Sequence, residues 1–549
     1  MPLPLPLPAT LASALVVSLA ITAAQSGGRK FFPDDPIWVE PITQNVTTAT
    51  RYEPDLTYEA LHGLFVRPGD RVLGQRARNL NTVDEVPDGM FFVNRAGRMT
   101  LTPELVARAA NTSSAPAPGV WTIVEAKSDG VTPGFTVLDS TKQRWFVKFD
   151  PPGWTGMATG SEMVAAKLFW AVGYHTAEYH IERLTPDRLR LSPDATIEPF
   201  GEPERAMEQA DIASLLKRAA KGPDGGYRVI FSRALPGRPV GRIRFEGTRA
   251  DDPNDVIPHE HRRELRGYSV FAAWLNHVDV KGINSMASLV TENGRSFIRG
   301  YLLDFGSTLG SAALGPRERW EGYEGLVEPH GDILRRMVSF GFLVPDWRTM
   351  EFYEAPAVGR FPASHDDWDP REWRGHISNA AFHHARDDDR FWAAHKLSFI
   401  TNEMIDAAIT EGRFGDPAAE KALGDMIKQR RDRILQTYLP AVNPIVDPAL
   451  ADGRLTFTNA AVAANVAPAP EGYTAEWATF DNATGATSAI GTTRGTSPLA
   501  APQLPPTAAF IRVKVVANTP AQKEWADPVT IYFRRAGNAW ELAGFERMP

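Results

Sequence analysis

Two short segments hold the residues best equipped for chemistry: HVDVKGIN at 277–284 and LLDFG at 302–306. The first sets Asp279, Lys281 and Asn284 at offsets 0, +2 and +5, and the second adds a carboxylate, Asp304, behind an apolar pair. Phosphoryl transfer needs such a set, because positioning and charge neutralisation do most of the catalysis. Asp279 would orient an acceptor hydroxyl, and Lys281 would neutralise the phosphoryl group in transit. Asn284 and Asp304 supply the oxygen donors that Mg²⁺ or Mn²⁺ takes. His277 is expected to hold the loop by hydrogen bonds rather than to exchange protons. Any one of these residues also suits a helix cap or a turn. Four such types at these offsets favour a phosphate-handling site.

The two segments resemble the HxDxKxxN and DFG motifs of the protein-kinase superfamily at full spacing. The resemblance implies further roles. Lys148 in RWFVKFD would be the strand lysine that binds the α and β phosphates of ATP or another nucleotide, and Glu162, fourteen residues on, its partner from a helix. Glu162, Ala166 and Phe169 share a helix face, so the carboxylate can point toward a sheet. Without the resemblance, Lys148 reads as a solvated strand lysine and Glu162 as a first-turn carboxylate favoured by the helix dipole. Gly130 and Gly134 in GVTPGF would set backbone N–H groups against phosphate oxygens. Their spacing departs from GxGxxG, and a plain hairpin turn explains them equally. With this departure and a late, insert-rich C-lobe, the chain looks more like the HipA-type and phosphoinositide-kinase branches than like a eukaryotic protein kinase; no APE-type motif follows DFG, so no conventional activation segment or peptide-binding groove is expected. The resemblance covers residues 120 to about 439.

These residues need a sheet, a helix and a loop to position them. VWTIVEAK and RWFVKFD are β-rich runs around a glycine-containing turn, GSEMVAAKLFWAVGY is apolar at helical spacing, and YRVIFSRAL is a further strand. That order is what the resemblance implies for a β-rich N-lobe at 120–235. HEHRRELRGYSVFAAWLNH and AAEKALGDMIKQRRDRILQTYL are amphipathic and belong to a helical C-lobe at 236–440. Before them, residues 25–119 form an N-terminal extension with a short strand at 90–93, a capped helix start at Thr102 and a linker, NTSSAPAPG, at 111–119. Its expected job is bracing. After Pro440 come alternating runs separated by Pro, Gly, Asn and Thr, which predict an immunoglobulin-like β-sandwich at 448–549. The expected fold class is thus α+β: a bilobal protein-kinase-like fold followed by a C-terminal β-sandwich.

With 549 residues, 43% of them hydrophobic, the chain is long enough for two or three domains. A net charge of -7 gives no basic surplus and argues against nucleic-acid binding. Residues 1–24 read as a signal peptide: the apolar run TLASALVVSLAITAA at 10–24 suits an h-region and is shorter than the roughly 20 apolar residues of a spanning helix. Export to a bacterial periplasm or beyond is the expectation, with an uncleaved membrane anchor as the alternative. The absence of cysteine rules out thiol catalysis and cysteine-ligated metal. A second run of His and Asp residues at 365–389 shows no metal-ligand spacing, and its three consecutive aspartates suit a helix start. His259 and His261 read as surface or capping residues. The leading expectation is an exported Mg²⁺-dependent phosphotransferase acting on a protein or small-molecule hydroxyl. The alternative is a pseudokinase-type scaffold of the cell envelope, binding a partner through its C-terminal domain.

Overall fold

The computed structural model describes residues 28–65, 74–126, 132–199, 202–326, 344–377 and 379–549, with 334, 337–339 and 342 besides. The expected leader at 1–24 and Gly130 lie outside the described residues. Among the described residues the chain is mixed α/β, with five sheets and ten α-helices.

Two short helices, α1 (Leu56–Phe65) and α2 (Pro103–Arg108), precede the first sheet. Thr102 caps α2 by accepting the Leu105 N–H at 3.2 Å. Alternation then builds an antiparallel meander of β1 (Trp121–Ala126), β2 (Gly134–Leu138) and β3 (Arg144–Phe149). Side chains of a strand alternate between faces. Trp145, Val147 and Phe149 therefore share one face of β3, and Lys148 points from the other. The chain continues through α3 (Met157–Val172), β4 (Tyr179–Leu184), β5 (Leu189–Ile197), β6 (Arg205–Ala206), α4 (Gln209–Lys217) and β7 (Tyr227–Arg233). These strands complete a seven-stranded sheet in the order β4-β7-β3-β2-β1-β5-β6. Ile212, Leu215 and Leu216 of α4 close over Trp145, Val147 and Phe149, while α3 covers the face that carries Lys148. Only Trp170 of α3 escapes full burial, as expected of a helix enclosed by a sheet and other helices.

Asp150 fixes the step from β3 into α3. Its buried carboxylate accepts the N–H groups of Gly156 at 2.7 Å and Thr159 at 2.8 Å, donors that a helix start otherwise leaves unsatisfied. The spacing between Lys148 and Glu162 is set by this clamp.

The next elements are β8 (Arg238–Pro239), α5 (Arg263–Trp274), β9 (Ser285–Glu292) and β10 (Arg295–Leu302). Asn293 and Gly294, at φ 49° and 75°, make the two-residue turn that suits hairpin twist, and the β9–β10 register runs unbroken to Ser285 opposite Leu302. A two-stranded ribbon follows, β11 (Phe352–Ala355) with β12 (Gly359–Pro362). Then come α6 (Ala380–His383), α7 (Asp387–Leu397), α8 (Asn402–Gly412) and α9 (Pro417–Tyr438). The Asp run does begin α7: Asp389 accepts the Arg386 N–H at 3.0 Å. Asp388 and Asp389 also receive the buried Arg263 of α5 at 2.9 and 3.1 Å, joining α5 to α7.

After α9 the strands are β13 (Ile445–Ala451), β14 (Arg454–Asn459), β15 (Gly472–Phe480), β16 (Thr487–Gly495), β17 (Leu499–Ala500), β18 (Phe510–Asn518), β19 (Val529–Ala536) and β20 (Ala539–Glu546), with a single helical turn, α10 (Ala460–Ala463), among them. They form one sheet ordered β13-β14-β17 and another ordered β16-β15-β18-β19-β20, both antiparallel. Phe31 from the start of the described chain packs among Phe480, Phe510 and Tyr532, and Lys30 pairs with Glu546 at 2.7 Å.

Several local readings need correction. Residues 90–93 make no strand: Phe92 forms an isolated bridge to Tyr174, the Val93 N–H donates to the Gly173 carbonyl at 2.9 Å, and the Gly300 N–H donates to the Met90 carbonyl at 3.0 Å. The stretch 111–119, a linker by composition, is pinned where it begins. Asn111 donates to the Tyr179 carbonyl at 2.7 Å, and Thr112 and Ser113 both donate to Glu178. His259 and His261 are buried; His259 Nε2 meets Asp255 at 2.9 Å.

Candidate active site

Lys148, Glu162 and Asp304 come together from β3, α3 and the end of β10. Lys148 Nζ donates to both Glu162 oxygens at 2.8 and 3.0 Å and to Asp304 Oδ1 at 2.7 Å. Burial alone would depress the lysine, but the two carboxylates outweigh it and hold its pKa above the usual value. Glu162 is 2% exposed, so its charge depends on Lys148. Asp304 sits at φ 57° and ψ 57°, the left-handed region that aspartate visits more readily than most residues and that recurs at functional sites. Phe305, fully buried behind it, stacks on Phe169 of α3 at 5.1 Å. That contact ties the LLDFG segment to the helix that carries Glu162.

The second group is the loop after α5. Val278 and Val280 point into the core and Asp279 points out between them. Asn284 Nδ2 donates to the Asp279 main-chain oxygen at 2.7 Å and to Oδ2 at 2.8 Å, and Lys281 pairs with Oδ1. His277 is 1% exposed among the rings of Phe169, Tyr268 and Phe305, neither ring nitrogen reaching a well-formed hydrogen bond. Burial pushes it down to about 4, so it is neutral. It holds the loop by packing, where the sequence led us to expect hydrogen bonds.

The β9–β10 hairpin joins the two groups. It begins just after Asn284 and ends just before Leu303, whose N–H donates to the Asn284 carbonyl at 3.0 Å. Asn284 and Asp304 thus stand on adjacent backbone. Asn284 spends its amide nitrogen on Asp279 and keeps Oδ1 as an acceptor. An amide oxygen beside a carboxylate fits Mg²⁺, which takes hard oxygen donors and few protein ligands. The space lined by Lys148, Glu162, Asp304 and Gly306 is small, about 10 Å³, room for about one water. A phosphate enters there only if Lys148 and Asp304 separate. Gly134 opens β2 directly across from Lys148 and is a ladder residue, and Thr132 rather than Gly134 borders the space.

One partner of Asp279 was not foreseen. His376 places Nδ1 3.4 Å from Asp279 Oδ1 and Nε2 2.6 Å from Glu321 Oε1, and Arg317 stands 3.7 Å from Glu321. In sequence His376 was one member of the His and Asp run at 365–389. Nothing in its local spacing marks it, because the approach is made by the His376 N–H pairing with the Val278 carbonyl at 2.8 Å. Other members of that run have separate places. His365 is buried and pushed down to about 2, and Asp387 pairs with Arg390. Among the described residues no group of three or more His, Asp or Glu stands arranged to hold a metal ion. No described helix is long and apolar enough to cross a membrane.

No family model matches this chain, and no curated protein matches it. Among solved structures it is similar to a proinflammatory kinase of Helicobacter pylori, CtkA. The two share 12% identity over 58% of this chain and 96% of that one, with a TM-score of 0.30. So distant a likeness carries no weight for the site, which rests on its own geometry.

Proposed function

We propose that this chain is a Mg²⁺-dependent phosphotransferase of protein-kinase-like architecture, using ATP or another nucleotide as donor. The observation that carries the reading is Lys148 held between buried Glu162 and Asp304, with Asn284 beside them clamping Asp279. These polar side chains come from two stretches of the chain, 148–162 and 279–304, and a merely structural cluster has no need of a half-exposed Asp304. In this reading Asp279 orients the acceptor hydroxyl and receives its proton. Lys281 neutralises the transferring group, and Lys148 leaves Asp304 to hold the donor phosphates while Glu162 keeps it in place. Asn284 and Asp304 would hold Mg²⁺ or Mn²⁺, which supplies charge neutralisation on the phosphates. His376 and Glu321 keep Asp279 in position.

The sheet with α3 and α4 would be the N-lobe at 120–235, the helices to residue 440 the C-lobe, and the strands after them an immunoglobulin-like module at 448–549 that meets a cell-envelope partner. The apolar run at 10–24 is the ground for proposing export. A second reading, a pseudokinase scaffold, draws on the Lys148–Asp304 contact, which closes the space a phosphate would need.

Thermal unfolding of the chain titrated with ATP, GTP and ADP, with and without Mg²⁺ or Mn²⁺, separates the two. A ligand bound only by the folded state adds about 2.7 kcal/mol at 100 times its Kd, a visible rise in melting temperature. A metal-dependent rise supports the phosphotransferase. No rise with any nucleotide supports the scaffold.

A further inference from the structure

A cavity of about 450 Å³ opens beside the loop that carries Asp279. Its character comes from Arg371, Arg374, Arg390, His383, Trp373 and Asn379, and no Asp or Glu lines it among the described residues. Two of the arginines are already held from outside the lining: Arg371 by Asp369 at 2.7 Å and Arg390 by Asp387 at 3.0 Å. Arg374 is held differently. Its Nη1 donates to the main-chain oxygens of Arg371 and Trp373 at 3.0 and 3.1 Å, which among the described residues leaves Nε and Nη2 as donors for whatever enters.

Asn379 is an independent observation. It is 6% exposed and caps α6, its Oδ1 accepting the Ala381 N–H at 2.9 Å and the Phe382 N–H at 3.4 Å. Its Nδ2 is buried with no hydrogen-bond partner among the described residues. Leaving such a donor unmet is unfavourable, and only an acceptor can complete it. Asn379 borders this cavity and also the neighbouring one, which Asp55, Glu59 and Glu246 line. Among the described residues the cavity with the Arg374 fork has no lining carboxylate, and a cationic fork near an unmet amide donor calls for an oxyanion.

We propose that this cavity is an oxyanion subsite that takes the phosphate monoester of an acceptor molecule. The Arg374 fork and Asn379 Nδ2 are its donors, and Trp373 is its apolar wall. Gly375 and Ile377, the neighbours of His376, form part of the lining, and His376 touches Asp279. A molecule anchored by its phosphate therefore lies alongside the loop and offers a nearby hydroxyl to Asp279. This last step rests on the phosphotransferase reading; oxyanion binding itself does not.

The test is calorimetric titration of the full chain with inorganic phosphate at fixed ionic strength, with chloride as control. Glycerol 3-phosphate and vesicles containing phosphatidic acid then distinguish a soluble ester from a lipid headgroup. Arg374→Gln removes the exposed fork, and Asn379→Asp keeps the helix cap while removing the donor. The expected result is saturable phosphate binding, weakened about tenfold or more in each variant, the scale of one lost charge-assisted hydrogen bond. Nucleotide binding should be unchanged in Arg374→Gln. Tighter binding to the vesicles than to glycerol 3-phosphate assigns the site to lipid headgroups, and equal or weaker binding assigns it to soluble esters. Phosphate heats no larger than those of chloride, or undiminished binding in both variants, overturn the proposal. A chain that binds phosphate but no nucleotide keeps the subsite and removes the phosphotransferase reading instead.

Discussion

His376 and Asp279, ninety-seven residues apart in sequence, meet at 3.4 Å, and the second imidazole nitrogen reaches Glu321 at 2.6 Å. One imidazole thus spans the carboxylate proposed to orient the acceptor and a buried glutamate anchored by Arg317.

This bridge makes stability depend on pH. Burial would lower the His376 pKa, but the Asp279 and Glu321 carboxylates outweigh it and raise it above the usual value. His376 contributes fully below its unfolded pKa of about 6.5, and the contribution is lost as pH rises through the raised folded value. Asp279 runs the other way. Burial would raise it, yet the nearby His376 and the contacts from Lys281 and Asn284 hold it well below the carboxylate range, so its contribution is lost only in strong acid. His376→Asn should cost roughly 1–3 kcal/mol near neutral pH. Melting curves should show the gap between wild type and variant widest near about pH 6 and narrowing toward about pH 9. A gap that stays constant contradicts the bridge.

Lys148 and Glu162 should be coupled. Lys148→Met leaves a buried carboxylate without its cation, at a cost of roughly 3–5 kcal/mol. Adding Glu162→Gln removes the stranded charge, so the double variant should be more stable than Lys148→Met alone. Asp304, 45% exposed, can hydrate and need not be changed. Urea unfolding of the four chains gives the coupling directly. Costs that simply add would show that the contact carries no interaction.

The Phe305 stack on Phe169 should matter for stability and for the site together. Phe305→Ala empties a fully buried position and should cost roughly 3–5 kcal/mol, whereas Phe305→Leu should cost under about 1.5. Amide exchange along α3 should quicken in the alanine variant near Glu162. Unchanged exchange there would mean that the LLDFG segment does not brace the helix.

Much of this arrangement was legible in the sequence because it is local. Lys148 and Glu162 are joined by one strand, the Asp150 clamp and one helix, and Asn284 and Asp304 by one hairpin; periodicity and turn chemistry suffice for both. What local patterns do not encode is which distant segment lies alongside. His376 reaches Asp279 through a backbone bond to Val278, and Phe31 reaches Tyr532 across nearly the whole chain. β16 is illegible for another reason. As an edge strand exposed on both faces, TSAIGTTRG has no inward side to write an alternation into its sequence. The segment 111–119 has a linker's composition yet is fixed at its start by Glu178 and Tyr179, contacts that composition cannot report.

The most direct measurement is calorimetric titration of ATP into wild type and Asp304→Asn, each with and without Mg²⁺. Asparagine keeps the size of Asp304 but not its charge, so the fold should survive. Wild type should bind ATP far more tightly with the metal, by about tenfold or more, and Asp304→Asn should lose that increment. ATP affinity that ignores the metal in wild type, or a metal increment that survives in Asp304→Asn, contradicts the phosphotransferase account.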